Sequence, residues 1–241
     1  SAASDVYKRQ GEVDLVEAHH QGWGFRVDRE EPRALPALAA MREADAWTRI
    51  EGALDAALTD QLAATPEIRV PERIVVALVL GDPSDEHFMD VALGMSAFGG
   101  ISGYIVINFW PTPENLERIE ATAVHELHHN LRYTNVGWNP ATVTVAEQVV
   151  AEGMADAFAR QRFGELGYAR IGRPHLADDA VYERVLAGLG ETGMAKLTPY
   201  VHGDAAAVRF GVHLAELTLQ HTVQAADLLL LAQLNTITGQ T

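Results

Sequence analysis

Two short β-branched runs and one long amphipathic stripe set the frame of this sequence. Residues 73–80, Arg-Ile-Val-Val-Ala-Leu-Val-Leu, stop at Gly81-Asp82-Pro83, the mark of a buried strand and a turn. Residues 104–110, Tyr-Ile-Val-Ile-Asn-Phe-Trp, follow Gly99, Gly100 and Gly103 and end at Pro111, which predicts a second strand. Thr112-Pro113-Glu114 then supplies a capping hydroxyl, a proline suited to the first helical position and a carboxylate at the positive end of the helix dipole. The helix is predicted to run to about Tyr133. On it Leu116, Ile119, Ala123, Leu127 and Leu131 form one stripe, with His125 and His129 on the opposite side. The stripe can pack on the sheet while the histidines face a cleft.

On either side of this block the pattern is helical. From about residue 11 to 64, Leu35, Leu38, Met41, Trp47 and Ile50 recur at spacings near three and four. His19 and His20, beside Gly22 and Gly24, read as a solvated turn. After Gly137-Trp138-Asn139-Pro140, Asn139 is the expected cap and Pro140 the first residue of a helix that carries residues 149–158 and ends near Gly164. Two further helical stretches are expected, at about 177–196 and 205–233. Strand–helix–strand alternation does not repeat, so the fold class is α+β rather than doubly wound. The expected organisation is one domain over 11–241: helical to 66, sheet and active-site helices over 67–164, and helical from 165.

Composition narrows the partners. The net charge of −15, with no basic stripe, excludes a nucleic-acid partner by charge and disfavours anionic membrane surfaces. No apolar run approaches the twenty or so residues that a membrane span needs. A cytoplasmic location is expected. There is no cysteine, so any metal ligands must be His, Asp or Glu. Residues 5–10, Asp-Val-Tyr-Lys-Arg-Gln, resemble a translated sequencing-adapter end and contain one of only two lysines in the chain. Residues 1–10 are therefore expected to be non-native and stay outside the fold argument.

The chemistry gathers at residues 123–130, Ala-Val-His-Glu-Leu-His-His-Asn. His125 and His129 are four apart on a helix, so both imidazoles can converge on one ion. Two neutral imidazoles suit Zn²⁺, and a carboxylate usually joins them, leaving one position for water. Glu126 can reach that water as general base. Glu152 lies on the next helix with Asp156 four residues on, hence on the same face. Glu152 is the expected third ligand. Asp156 can accept a hydrogen bond from the free ring nitrogen of His125 and fix its tautomer. Gly153, costly inside a helix, is expected to let the two helices approach. Glu147, about 140° round the helix from Glu152, cannot share the site.

This arrangement resembles the gluzincin pattern of thermolysin-like zinc peptidases. The metzincin pattern fails, because Arg132 and Asn135 stand where its glycine and third histidine belong. More closely, residues 73–158 resemble the bacterial YjaZ-like family of predicted zinc-dependent proteases, through the strand, the Gly-rich turn before Tyr104, residues 124–130 and residues 151–156. Residues 200–204, Tyr-Val-His-Gly-Asp, are a weaker echo, and Gly211-Val212 is the nearest fit to the family's later Gly-Tyr pair. The resemblance implies a zincin-like fold, with the ligands on two helices beneath a mixed sheet, one zinc per chain and a peptide or protein substrate.

The expected activity is peptide-bond hydrolysis, with Glu126 taking the water's proton and passing it to the leaving amine. Residues 104–110 are the strand expected to pair with extended substrate. An oxyanion donor is needed as well. Tyr133, Tyr200, His202, Arg209 and His213 are candidates, with His202 preferred for its place in the echo. His128 reads as a cleft-wall histidine. The alternative function is a zinc-binding regulator without proteolytic activity, favoured if His128 or another side chain closes the fourth position.

Overall fold

A computed structural model describes residues 19–20, 22–139, 141–167, 170 and 179–201 of the chain. Its elements in chain order are α1 (Ala34–Glu43), α2 (Ala46–Ala64), β1 (Val75–Leu80), β2 (Met95–Ile101), β3 (Tyr104–Phe109), α3 (Pro113–Asn135), α4 (Val145–Phe163), α5 (Asp179–Gly188) and α6 (Met194–Val201). The result is a mixed α+β architecture with one small sheet.

Helix α3 is the centre of the packing. Thr112 Oγ1 accepts from the Asn115 amide at 3.2 Å, Pro113 opens the helix, and its Ile119, Ala123, Leu127 and Leu131 are buried. Those side chains meet Ile105, Ile107 and Phe109, which alternate along β3 with half-buried Tyr104, Val106 and Asn108. Met41, Ala46, Ile50 and Ala57 of α1 and α2 complete the same core. Each aliphatic or aromatic side chain fully buried there contributes roughly 1.5–3 kcal/mol through removal of its surface from water. On its other side α3 packs against α4. The helix is thus enclosed between the sheet and α4, and the face carrying the histidines is interior rather than solvated.

The sheet order is β1-β3-β2, with β1 parallel and β2 antiparallel to β3. This corrects the strand expected to receive substrate. Of residues 104–110, Tyr104–Phe109 form the central strand, hydrogen-bonded on both sides, so they have no edge to offer. Among the described residues, the strand β2, absent from the sequence expectation, is an edge. Gly99 suits this strand because α3 comes very close there: a Cβ on Gly99 would stand 2.2 Å from the Glu126 carbonyl oxygen. Strand β1, expected to be buried, is the opposite edge, and only Leu80 of it is buried.

Asn130 ties this edge to the helix. Fully buried, its Nδ2 lies 3.1, 2.7 and 2.9 Å from the carbonyl oxygens of Gly99, Ile101 and Tyr104, and its Oδ1 accepts from Gly103 N at 3.0 Å. Gly103 itself takes φ +81° in the β2–β3 turn, a region open mainly to glycine.

Other boundaries differ from the sequence expectation for local reasons. Residues 22–33 are turns rather than helix; Gly24 bridges Gly81, and Phe25 N donates to Leu80 O at 2.9 Å. His19 and His20 are half-buried rather than solvated, with His19 Nε2 2.8 Å from Phe25 O. Leu35 and Trp47 of the expected apolar stripe are exposed. Helix α4 starts at Val145, not Pro140, because Thr144 and Glu147 form a reciprocal capping box, while Asn139 Oδ1 caps a turn at Ala141. The single helix expected at 177–196 is split into α5 and α6, with Gly193 at φ +87° between them. The stretch at 205–233 and residues 1–10 lie outside the described residues.

Candidate metal centre

His125 and His129 project from one face of α3 toward Glu152 on α4. His125 Nε2 and His129 Nε2 are 3.0 Å apart, and Glu152 Oε2 lies 3.3 Å from each. Donor atoms held about 2.0–2.1 Å from one tetrahedral ion lie about 3.3–3.4 Å from one another. Three atoms of the correct chemistry therefore already stand at the mutual spacing that a zinc ion imposes. Among the described residues, these three are the group of donors so disposed. The residues present fit Zn²⁺.

The neighbours fix which atoms face inward. Asp156 Oδ1 lies 2.7 Å from His125 Nδ1, which leaves Nε2 to face the other donors. Gln148, one turn before Glu152, donates from Nε2 to Glu152 Oε1 at 2.7 Å and holds the second carboxylate oxygen. This contact was missed in the sequence, although the i, i+4 spacing was there to find. The ring of Tyr133 stacks on His129, 5.9 Å between centroids and 7° from parallel. Gly153 is buried on α4. Glu147 is engaged in the capping box.

Charge at the centre follows from burial and these contacts. Burial opposes an imidazolium at His125, but the carboxylates of Asp156 and Glu152 outweigh it and hold the pKa well above 6.5. Burial alone would raise Glu152; His129 and His125 instead hold it well below the usual carboxylate range. Glu126 is 6% exposed, and burial pushes its carboxyl up, opposed in part by the two histidines. A carboxylate with a raised pKa is a better proton acceptor than one left in water.

His128 does not join the donors. It is buried against the ring of Phe158, with centroids 5.9 Å apart, and burial pushes its pKa well below 6.5. Of the expected oxyanion candidates, His202, Arg209 and His213 lie outside the described residues. Tyr200 packs with Val143, Val145 and Leu197, its hydroxyl beside Gly188, and is not brought to the donors. A cleft of about 190 Å³ opens beside His125, Glu126 and Asp156 and is walled by Met95, Ser96 and Ala97 of β2.

The profile of a family described as "Predicted Zn-dependent protease (DUF2268)" matches residues 46–215. The chain belongs to this family. The matched span takes in the sheet, α3 and α4, and thus every donor above. The chain is also 31% identical over 142 residues to the "Uncharacterized protein YjfC" of Bacillus subtilis (strain 168). That alignment covers 58% of this chain and 46% of YjfC, so the chain spans just under half the length of this relative. No solved structure matches. Among the described residues, no helix is long and apolar enough to cross a membrane.

Proposed function

We propose that this member of the predicted Zn-dependent protease family is a zinc metallopeptidase of zincin-like, gluzincin type. His125, His129 and Glu152 would hold the ion. The observation that carries the reading is the triangle of donor atoms at 3.0, 3.3 and 3.3 Å with Glu126 in the adjoining cleft. When bound, Zn²⁺ supplies a water of lowered pKa and polarises a carbonyl oxygen.

The chain's own residues do the rest. Glu126 accepts a proton at its carboxylate and returns it to the leaving amine, a role supported by its burial and raised pKa. Asp156 orients His125, and Gln148 orients Glu152. The outer edge of β2, rather than β3, is the strand against which an extended peptide would lie, because β2 walls the cleft and, among the described residues, has a partner strand on one side. His202 keeps the role of oxyanion donor that its sequence neighbourhood suggests. We take residues 11–241 as one unit serving this site.

The test is metal content by elemental analysis of the protein and of Glu152→Ala, with peptide hydrolysis by the protein and by Glu126→Gln. About one zinc per chain, largely lost in Glu152→Ala, supports the ligand set. Hydrolysis abolished in Glu126→Gln with zinc retained supports the peptidase. Zinc retained in Glu152→Ala overturns the ligand assignment. Zinc bound without hydrolysis of any peptide favours a zinc-binding regulatory protein of the same fold.

A further inference from the structure

The cleft continues along α3 away from the donors, and two guanidiniums stand at its far end. Arg118 precedes His125 by seven residues, two helical turns, which places it about 10 Å along the axis on the same side. Thr122, His125 and Glu126 line the same cleft. Arg170 reaches it from the segment that follows the short turn Gly164–Gly167.

Both side chains are held in place. Arg118 Nη1 donates to Leu166 O at 3.0 Å, and Arg170 Nη1 donates to Asn115 Oδ1 at 2.9 Å. Asn115 is itself buried, and its Nδ2 donates to the carbonyls of Leu93, Gly94 and Trp110 at 2.9, 3.2 and 3.0 Å. The two cations are also close enough to feel each other. Burial first and Arg118 second push Arg170 below its ordinary pKa, with Glu114 opposing. Both guanidiniums line the cleft and bring positive charge to it. That placement is notable in a chain with 33 acidic and 18 basic residues.

We propose that Arg118 and Arg170 form a carboxylate-binding subsite for the peptide substrate, about three residues from the bond that is cut. An extended chain advances about 3.3 Å per residue, so three residues cover the 10 Å or so between the donors and the arginines. The guanidinium fork matches a carboxylate in shape and charge. The other end of the cleft carries Glu126 and Asp156, with Glu152 behind His125, and repels an acidic residue. A carboxylate is therefore accepted at one end of the cleft and rejected at the other. Its source is an acidic side chain or the substrate's own C-terminus. This inference rests on the peptidase reading.

The test uses the zinc-loaded full chain and matched decapeptide mixtures. One set places Glu, Gln or Lys at each position within three residues of the cut bond, and another ends in a free carboxylate or an amide. A preference of about tenfold or more in kcat/KM for one carboxylate member is expected, carried mainly by KM. The pair that shows it distinguishes side chain from chain end. The ratio falls toward one in Arg118→Gln and Arg170→Gln, survives in part in Arg118→Lys, and turns toward lysine-bearing peptides in Arg118→Glu. A role confined to holding Leu166 or Asn115 would not reverse the preference. The same mixtures are bound to zinc-loaded Glu126→Gln, where no turnover is needed. Cleavage without carboxylate preference overturns the subsite alone. Absence of cleavage with tighter binding of the carboxylate member overturns the peptidase reading and leaves the subsite standing. Peptides neither cut nor bound overturn both.

Discussion

Asp156 Oδ1 stands 2.7 Å from His125 Nδ1, so one buried carboxylate on α4 sets the direction of an imidazole on α3. The contact joins the two helices at the point where the donors converge. Removing it frees the ring to rotate and weakens its basicity. Asp156→Ala is expected to lower zinc affinity by about ten- to a hundredfold, with Asp156→Asn in between, measured by competition with a chelator of known affinity. Equal affinities in the three proteins would mean that packing alone orients His125.

Metal binding should also release protons. In the metal-free protein the carboxylates of Asp156 and Glu152, with Glu126 beyond, outweigh burial and keep His125 protonated well above pH 6.5, while His129 and His125 keep Glu152 ionised well below pH 4.5. Zinc takes a neutral ring, so affinity rises with pH, with about one proton lost on binding near neutrality. Calorimetry in buffers of different ionisation enthalpy reads that proton. The signs for folding stability follow. The raised His125 contributes fully below about pH 6.5 and fades as pH climbs through its folded value; the lowered Glu152 contributes above about pH 4.5 and is lost on acidification. The metal-free protein gains most from this pair between those values. An affinity independent of pH would contradict the assignment.

What could be read from the chain alone was local. Thr112, Pro113 and the stripe from Leu116 to Leu131 carry their own instructions, because capping and helical periodicity need only near neighbours. The spacing of His125, His129, Glu152 and Asp156 likewise named candidates, but only the packing of α3 on α4 sets their distances. Strand β2 was hidden because Gly99 and Gly100 lower strand propensity, and the reason for Gly99 is a tertiary approach to Glu126. The start of α4 was misplaced because Asn139-Pro140 is as good a local signal as Thr144-x-x-Glu147; the backbone of Val145 and Ala146 pairs with Glu191 and Leu189, far along the sequence. Asn130 appeared only as part of a motif, since its carbonyl partners come from two strands.

Asn130 supports a prediction on stability. Its amide satisfies Gly103 N and borders three carbonyls in a buried place. Asn130→Ala leaves those groups without a partner in a dry setting and is expected to cost about 2–4 kcal/mol, combining roughly 1–3 kcal/mol for an unsatisfied group with the lost packing. Urea denaturation reads the loss. Asn130→Asp removes the donor while keeping the shape, and should cost at least as much. A change under 0.5 kcal/mol in either variant would show that the β2–β3 turn is held by other means.

Two glycines should respond to alanine with opposite signs. Gly52 sits on the exposed side of α2 with nothing within 4 Å of an added Cβ, so Gly52→Ala is expected to stabilise by about 0.5–1 kcal/mol through helix propensity and reduced unfolded-state freedom. At Gly99 the added carbon would stand 2.2 Å from the carbonyl oxygen of Glu126, a backbone atom that cannot swing aside. Either β2 or α3 must shift, at a cost of about 1–3 kcal/mol or more. That shift falls on the residue proposed to move the proton. Gly99→Ala should therefore lose hydrolysis out of proportion to its lost stability, while His125, His129 and Glu152 still take up zinc. Thermal melts, metal content and peptide turnover measured on both variants separate these effects. Full turnover in a destabilised Gly99→Ala would show that the position of Glu126 does not depend on the close passage of β2.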